Sequence, residues 1–193
     1  MEGNIVTRLS LFIAELERWN ARYGFIKANR RALIDLHLLD ALSGLSLLQS
    51  LVPSGKTVLD FGSGAGFPGL PLAVYLPDRS FVLCERKATE RAFLENMRLL
   101  LKLPHVTVTD DIATQAAGSL AAVVFRAVTS LDDIFIRVRS YVEPGGLLFA
   151  YKGTRDKIEE ELTGIAGLGL TAEVHPLTVP GMNRERHIVV VRL

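Results

Sequence analysis

The segment Val58-Leu59-Asp60-Phe61-Gly62-Ser63-Gly64-Ala65-Gly66-Phe67-Pro68-Gly69 constrains this chain more than any other stretch. An apolar run that ends in an acid and passes at once into closely spaced glycines reads as a buried strand entering a tight turn. Without a Cβ at Gly62, Gly64 and Gly66, the backbone can approach a ligand closely and adopt angles that other residues resist. The dinucleotide fingerprint G-x-G-x-x-G fits poorly, because its third glycine would fall on Phe67. The acid-x-G-x-G-x-G spacing points instead to S-adenosylmethionine, with Asp60 toward its methionine ammonium end and the glycines admitting its ribose and carboxylate. A plain strand-to-helix turn with no ligand is the alternative.

A chain of 193 residues with 49% hydrophobic content suits one α/β unit with a modest extension. The expected division is a helical extension over 1–52 and a Rossmann-like unit over 53–193. Lysine and arginine number 22 against 21 acids, so a nucleic acid would have to be gripped by a local patch. Cys84 is the only cysteine, which excludes intrachain disulfides and a cysteine-cluster metal centre, and no metal is expected. The start Met1-Glu2-Gly3-Asn4 lacks a signal-peptide pattern, and no uninterrupted apolar run reaches membrane-spanning length. The expectation is a soluble, cytoplasmic monomer with no membrane partner.

Ile5, Leu9, Phe12, Ile13, Leu16 and Trp19 recur at helical spacing, Gly24 marks a break, and a second helical pattern runs from about Arg31 to Leu48. This prologue is locally basic through Arg18, Arg22, Lys27, Arg30 and Arg31. From Thr57 onward strands alternate with helices, the strands being 57–61, 80–84, 105–109, 121–125 and 147–151. Two closing strands, 170–177 and 187–192, are joined through Pro180-Gly181-Met182-Asn183. The pattern predicts a mostly parallel seven-stranded sheet with a C-terminal antiparallel hairpin, the class I methyltransferase form of the Rossmann-like α/β fold.

In such a sheet ligands bind at the carboxyl ends of the strands. Glu85 ends the second strand about twenty residues past the glycine turn, where a carboxylate accepts from ribose hydroxyls. Asp110 and Asp111 follow the third strand, where adenine is expected. The fourth strand ends in Phe125-Arg126-Ala127. It offers neither the acid or amide with prolines used on exocyclic amines nor a thiolate for attack on pyrimidine carbon 5. Arg126 stays protonated and cannot serve as a base. An acceptor that is already nucleophilic remains.

Several segments together resemble the RsmG/GidB family of bacterial 16S ribosomal RNA guanine-N7 methyltransferases over nearly the whole chain. They are Trp19-Asn20 with Tyr23, His37-x-x-Asp40, the Asp60 to Pro71 loop, Glu85, and Arg91 with Phe93-Leu94. Arg126-Ala127 with Ser130-Leu131, Tyr151-Lys152-Gly153 and Glu185-Arg186-His187-Ile188-Val189-Val190 complete the match. Family members usually carry Asn-Leu-Thr where this chain has Gly24-Phe25-Ile26, and Arg-x-Glu where it has Ile112-Ala113-Thr114.

The resemblance implies methyl transfer to guanine N7 of 16S ribosomal RNA or the small ribosomal subunit, with S-adenosylmethionine as cofactor. N7 carries an in-plane lone pair and loses no proton, so placement dominates, worth about 7 to 11 kcal/mol when well executed. The expected cofactor contacts are Asp60, Gly62, Ser63, Gly64, Gly66, Phe67, Glu85, Asp111, Ile112 and Arg126. Arg126 and Lys152 are the candidates for positioning substrate through O6 or a phosphate, since N7 itself must stay free. Arg22, Arg30, Arg31, Lys152, Arg184 and Arg186 are the candidates for holding RNA. Methylation of a small molecule or a protein by the same fold, and a silent cofactor-binding regulator, stay open at this point.

Overall fold

The computed structural model describes residues 2–193. Seven strands form one sheet in the order β3-β2-β1-β4-β5-β7-β6. They are β1 Thr57–Phe61, β2 Ser80–Cys84, β3 Val106–Thr109, β4 Leu120–Arg126, β5 Val142–Lys152, β6 Ala172–Leu177 and β7 Arg186–Arg192. The pairings among β1 to β5 are parallel, and β7 inserts antiparallel between β5 and β6. This is the expected architecture. The strand order reverses beside β1, between β1 and β4, so a ligand crevice opens there at the carboxyl ends.

Both sheet faces are covered, which explains why the central strands read as continuous apolar runs. Val58 and Leu59 pass to opposite faces and into two separate cores. On one side α1 (Glu2–Tyr23), α5 (Gly69–Tyr75) and α6 (Ala88–Leu100) pack, and Phe12 of α1 meets the rings of Phe67 and Phe93. On the other, α7 (Leu131–Val138) and α8 (Arg155–Gly167) contribute Leu131, Ile134, Ile158 and Ile165. Phe12 is fully buried, and a ring hidden this way contributes about 1.5 to 3 kcal/mol. The amino-terminal helices therefore share a core with the sheet.

The second helical region is a run of short pieces: α2 (Arg30–Ala32), a π-helical turn at Leu33–Leu38, α3 (Leu39–Ser43) and α4 (Leu45–Leu51). Taken together, Arg30–Leu51 is long and apolar enough to cross a bilayer by length and composition alone, although Arg30, Arg31, Asp35, His37 and Asp40 interrupt its apolar residues, in keeping with the sequence reading. Its use here is different. Leu33, Leu38, Ala41 and Leu48 are buried in the protein core, and Asp40 is buried against two arginines. Gly44 stands between α3 and α4 and has no room for a side chain, since a Cβ there would meet the Tyr151 hydroxyl, which donates to the Ala41 carbonyl at 2.6 Å.

Candidate functional site

Asp60, one residue before the end of β1, lies beneath the glycine loop and is fully buried. Its Oδ2 accepts from the Gly69 N–H at 2.9 Å, while Oδ1 has no hydrogen-bond partner among the described residues. Burial pushes the carboxyl up to about 7, against the pull of the Gly69 N–H and the Arg126 charge. Gly69 is required by this contact, since a Cβ there would lie 2.4 Å from the carboxylate. The sequence reading missed it, although the acid and the glycine stand in the same motif.

The three loop glycines have different reasons for being glycine. A Cβ on Gly62 would strike Val128 and one on Gly66 would strike Leu70, so the protein itself fills those places. Gly64 alone among the three has open space beside it, with φ at +51°. Its N–H donates to Glu85 Oε2 at 2.8 Å, and Glu85 Oε1 accepts from the Lys87 N–H at 3.0 Å. Glu85 thus ties the glycine loop to the start of α6 and keeps lone pairs for further donors.

Two cavities meet over this loop and share Gly62, Arg126 and Ala127. The first, about 810 Å³, is lined by Glu85, Asp111, Ile112, Val128 and Arg137 among others. Asp111 spends its carboxylate on its own turn, Oδ1 accepting from the Ala113 N–H at 3.0 Å. This capping, absent from the adenine assignment, leaves Ile112 as an apolar wall. Cys84 also lines the cavity, and burial pushes its thiol up to about 11, which removes thiolate chemistry near neutral pH.

The second cavity, about 550 Å³, is lined by Phe25, His37, Asp40, Gly64, Phe67, Arg184 and Arg186 among others. Asp40 is its hub. Arg186 donates through Nε at 2.6 Å and Nη2 at 2.7 Å, and Arg126 Nη1 adds a contact at 3.1 Å. Arg126 Nη2 also donates to His37 Nδ1 at 3.1 Å, and the guanidinium lies 5.3 Å from the centre of the Phe67 ring. Burial, and then the Arg126 charge, lower His37 to about 4, so its ring is neutral at pH 7. Ala127, next in the chain, holds φ at +54°, a strained value for a residue with a Cβ. Val128, Arg137 and the Asp40 hub are cavity features that strand-end reasoning left out.

Of the cations expected at substrate, Arg126 and Arg186 sit in the second cavity but are braced by Asp40, with side chains only 15% and 17% exposed. Lys152 is elsewhere. Its Nζ lies between both Glu161 oxygens at 2.8 and 2.7 Å and over the Phe125 ring, outside either cavity lining. Strand ends alternate in direction, and Lys152 turns toward α8. Arg30 is paired with Glu17 and Arg31 with Asp35, whereas Arg22 lies over the Tyr23 ring. Arg184 is exposed at the cavity edge. Ser63 is buried, its hydroxyl donating to the Asp60 carbonyl at 3.0 Å, and Phe67 is buried between Phe12 and His37.

Sheet order, glycine loop and paired cavities define a class I S-adenosylmethionine-dependent methyltransferase. Solved structures agree on the fold. A SAM-dependent methyltransferase from Aquifex aeolicus superposes with a TM-score of 0.64 at 12% identity, covering 94% of this chain and 98% of that one. TYW2 of M. jannaschii, solved in complex with AdoMet, gives 0.59 at 15% identity over 79% of this chain and 75% of that one. The chain belongs to the rRNA small subunit methyltransferase G family, whose pattern it matches over residues 5–189. Ribosomal RNA small subunit methyltransferase G of Coxiella burnetii is 35% identical over 184 residues, spanning 94% of this chain and 85% of that protein. The namesake in Borreliella burgdorferi is 32% identical over 173 residues, spanning 88% and 82%. The protein is accordingly an rRNA methyltransferase that uses S-adenosylmethionine.

The residues present fit that cofactor. The open side of Gly64 admits a close approach, the buried Asp60 Oδ1 lacks a partner, and Glu85 retains acceptor capacity.

Proposed function

We propose that this enzyme methylates N7 of a guanine in 16S ribosomal RNA, within the bacterial cytoplasm and as a monomer. One observation carries the choice of N7: among the described residues, the second cavity offers no group able to remove a proton from the acceptor. Its carboxylate, Asp40, is held by two arginines, and its histidine already uses Nδ1 to accept from Arg126. Arg126, Arg184 and Arg186 stay protonated. An acceptor nitrogen that attacks through a lone pair and releases no proton suits such a cavity.

S-adenosylmethionine supplies a methyl group already activated on a sulfonium. The chain's own residues then bind and orient. In this reading Asp60, Gly64 and Glu85 hold the cofactor, with Ile112 walling its adenine side, while Gly62, Ser63, Gly66 and Phe67 shape the loop beneath it. Arg126 and Arg186, fixed by Asp40, build the wall of the guanine pocket, and Arg184 with Arg22 meets RNA phosphate at the rim. The enzyme's rate gain comes from holding N7 in line with the methyl group.

The test is a labelled-methyl assay on small ribosomal subunits, naked 16S RNA and total protein, followed by chemical cleavage at N7-methylguanine. Label in RNA with cleavage at a single guanine is expected. Label that resists this cleavage would remove the N7 assignment.

A further inference from the structure

His37 is carried on the π-helical turn Leu33–Leu38, a widened helix that re-aims side chains and is often found at functional sites. Arg126 can only donate, so the His37 Nδ1 that meets its Nη2 at 3.1 Å must accept. A neutral ring accepting at Nδ1 carries its proton on Nε2. Among the described residues that Nε2–H has no partner, and it is not among the buried polar atoms left unsatisfied, so it is open to solvent at the cavity that His37 lines. The ring is held in place by Phe67, 5.6 Å away, and the charged groups around it are Arg126, Arg186 and Asp40.

We propose that His37 Nε2–H donates a hydrogen bond to O6 of the target guanine and so sets the base with N7 free toward the methyl group. The inference rests on the guanine-N7 reading above. In the transfer, the N7 lone pair forms the new N–C bond while the electrons of the S–C bond stay on sulfur. The positive charge thereby passes from sulfur to the purine, and no proton moves. A neutral donor at O6 suits this step. A cation in the same place would oppose the charge arriving on the ring and would add to the one positive charge left where Asp40 faces both Arg126 and Arg186.

The experiment compares His37→Asn with His37→Gln. Asparagine keeps an acceptor near the Nδ1 position for Arg126 but has nothing at the Nε2 position, while glutamine extends an amide N–H toward it. Cofactor affinity by calorimetry and melting temperature should match wild type in both. On small ribosomal subunits, kcat/KM should fall roughly 10-fold or more for His37→Asn and recover most of the way for His37→Gln. A second arm uses subunits rebuilt with 2-aminopurine, which keeps N7 and lacks O6, at the mapped guanine. The wild-type enzyme should lose about as much on this substrate as His37→Asn loses on guanine, and His37→Asn should lose nothing further. Equal activity of the two variants, or a full additional loss for His37→Asn on 2-aminopurine, would overturn the proposal. Absence of N7-specific cleavage with the wild-type enzyme would instead overturn the reading beneath it.

Discussion

Arg186 grips Asp40 with two hydrogen bonds, Nε at 2.6 Å to Oδ1 and Nη2 at 2.7 Å to Oδ2. Arg126 adds a third at 3.1 Å, so one carboxylate that is 2% exposed serves two arginines from β4 and β7. Removing the acid would leave two part-buried cations facing each other. Asp40→Ala should therefore lower unfolding free energy by about 3 to 5 kcal/mol, the cost of stranding one side of a buried ion pair. Urea denaturation measures it. A loss under about 1 kcal/mol would mean that the cluster is solvated and does not hold the prologue to the sheet.

Gly64 is the loop glycine with open space beside it and a left-handed backbone. Gly64→Val should cost little packing energy at its Cβ, whose nearest neighbour among the described residues is the Gly62 carbonyl oxygen at 3.9 Å, but should obstruct the cofactor. The expected result is a loss of S-adenosylmethionine binding by calorimetry with a melting temperature reduced by only the strain of a Cβ at positive φ, about 1 to 2 kcal/mol. Gly66→Val should do the reverse in order of severity, since its Cβ meets Leu70 at 2.5 Å. Affinity unchanged in Gly64→Val would place the cofactor elsewhere.

Much of this was legible before the fold was known, for identifiable reasons. Strands β1 to β4 are short runs separated by turn signals, and β1 and β2 fall where the pattern put them, whereas β5 starts at Val142, ahead of the expected 147, and takes in Glu143-Pro144-Gly145-Gly146. The glycine loop and Glu85 were legible because their spacing is local. The Asp40 hub was not, because its arginines lie 86 and 146 residues away in sequence. The direction of Lys152 was not legible for a related reason: a strand end fixes a residue's height in the sheet, and the face it turns to depends on neighbours such as Glu161. Nor does spacing reveal which glycine borders empty space. The π-helical turn had no local mark, since Leu33–Leu38 contains neither glycine nor proline.

Glu85 bridges the Gly64 and Lys87 amides with its two oxygens. Glutamine in its place presents one acceptor and one donor, so one amide would face an N–H group. Glu85→Gln should loosen the glycine loop and speed amide exchange at Gly64, with cofactor affinity falling on the order of 10-fold. Glu85→Ala should fall further. Exchange at Gly64 unchanged in both variants would separate the carboxylate from the loop.

Asp60 gives the stability a pH dependence of definite sign. Burial raises its folded pKa from 3.8 to about 7, so between these values the folded state binds more protons than the unfolded chain. Stability from this group is full below about pH 4 and declines as pH rises through 7, with a ceiling on the order of 4 kcal/mol. Asp60→Asn abolishes the titration. Melting temperatures of wild type and variant from pH 4 to 8, without cofactor, should converge at the acid end and separate toward neutrality, the variant being flatter. Parallel curves would show that water or a rearrangement solvates the carboxylate.

Lys152 and Arg184 separate bracing from RNA binding. Lys152 Nζ is held by Glu161, whose Oε2 also accepts from the Leu131 N–H at 2.9 Å, so this ion pair anchors the start of α7 to β5. Arg184 is exposed at the cavity rim, where a phosphate would release counterions on binding. Lys152→Ala should lower the melting temperature and leave the salt dependence of RNA affinity unchanged. Arg184→Ala should leave melting unchanged and reduce the slope of log affinity against log salt by about one. Filter binding of 16S RNA across a salt series reads both slopes. A reduced slope for Lys152→Ala would put that lysine on RNA after all, and would require its contact with Glu161 to break when RNA binds.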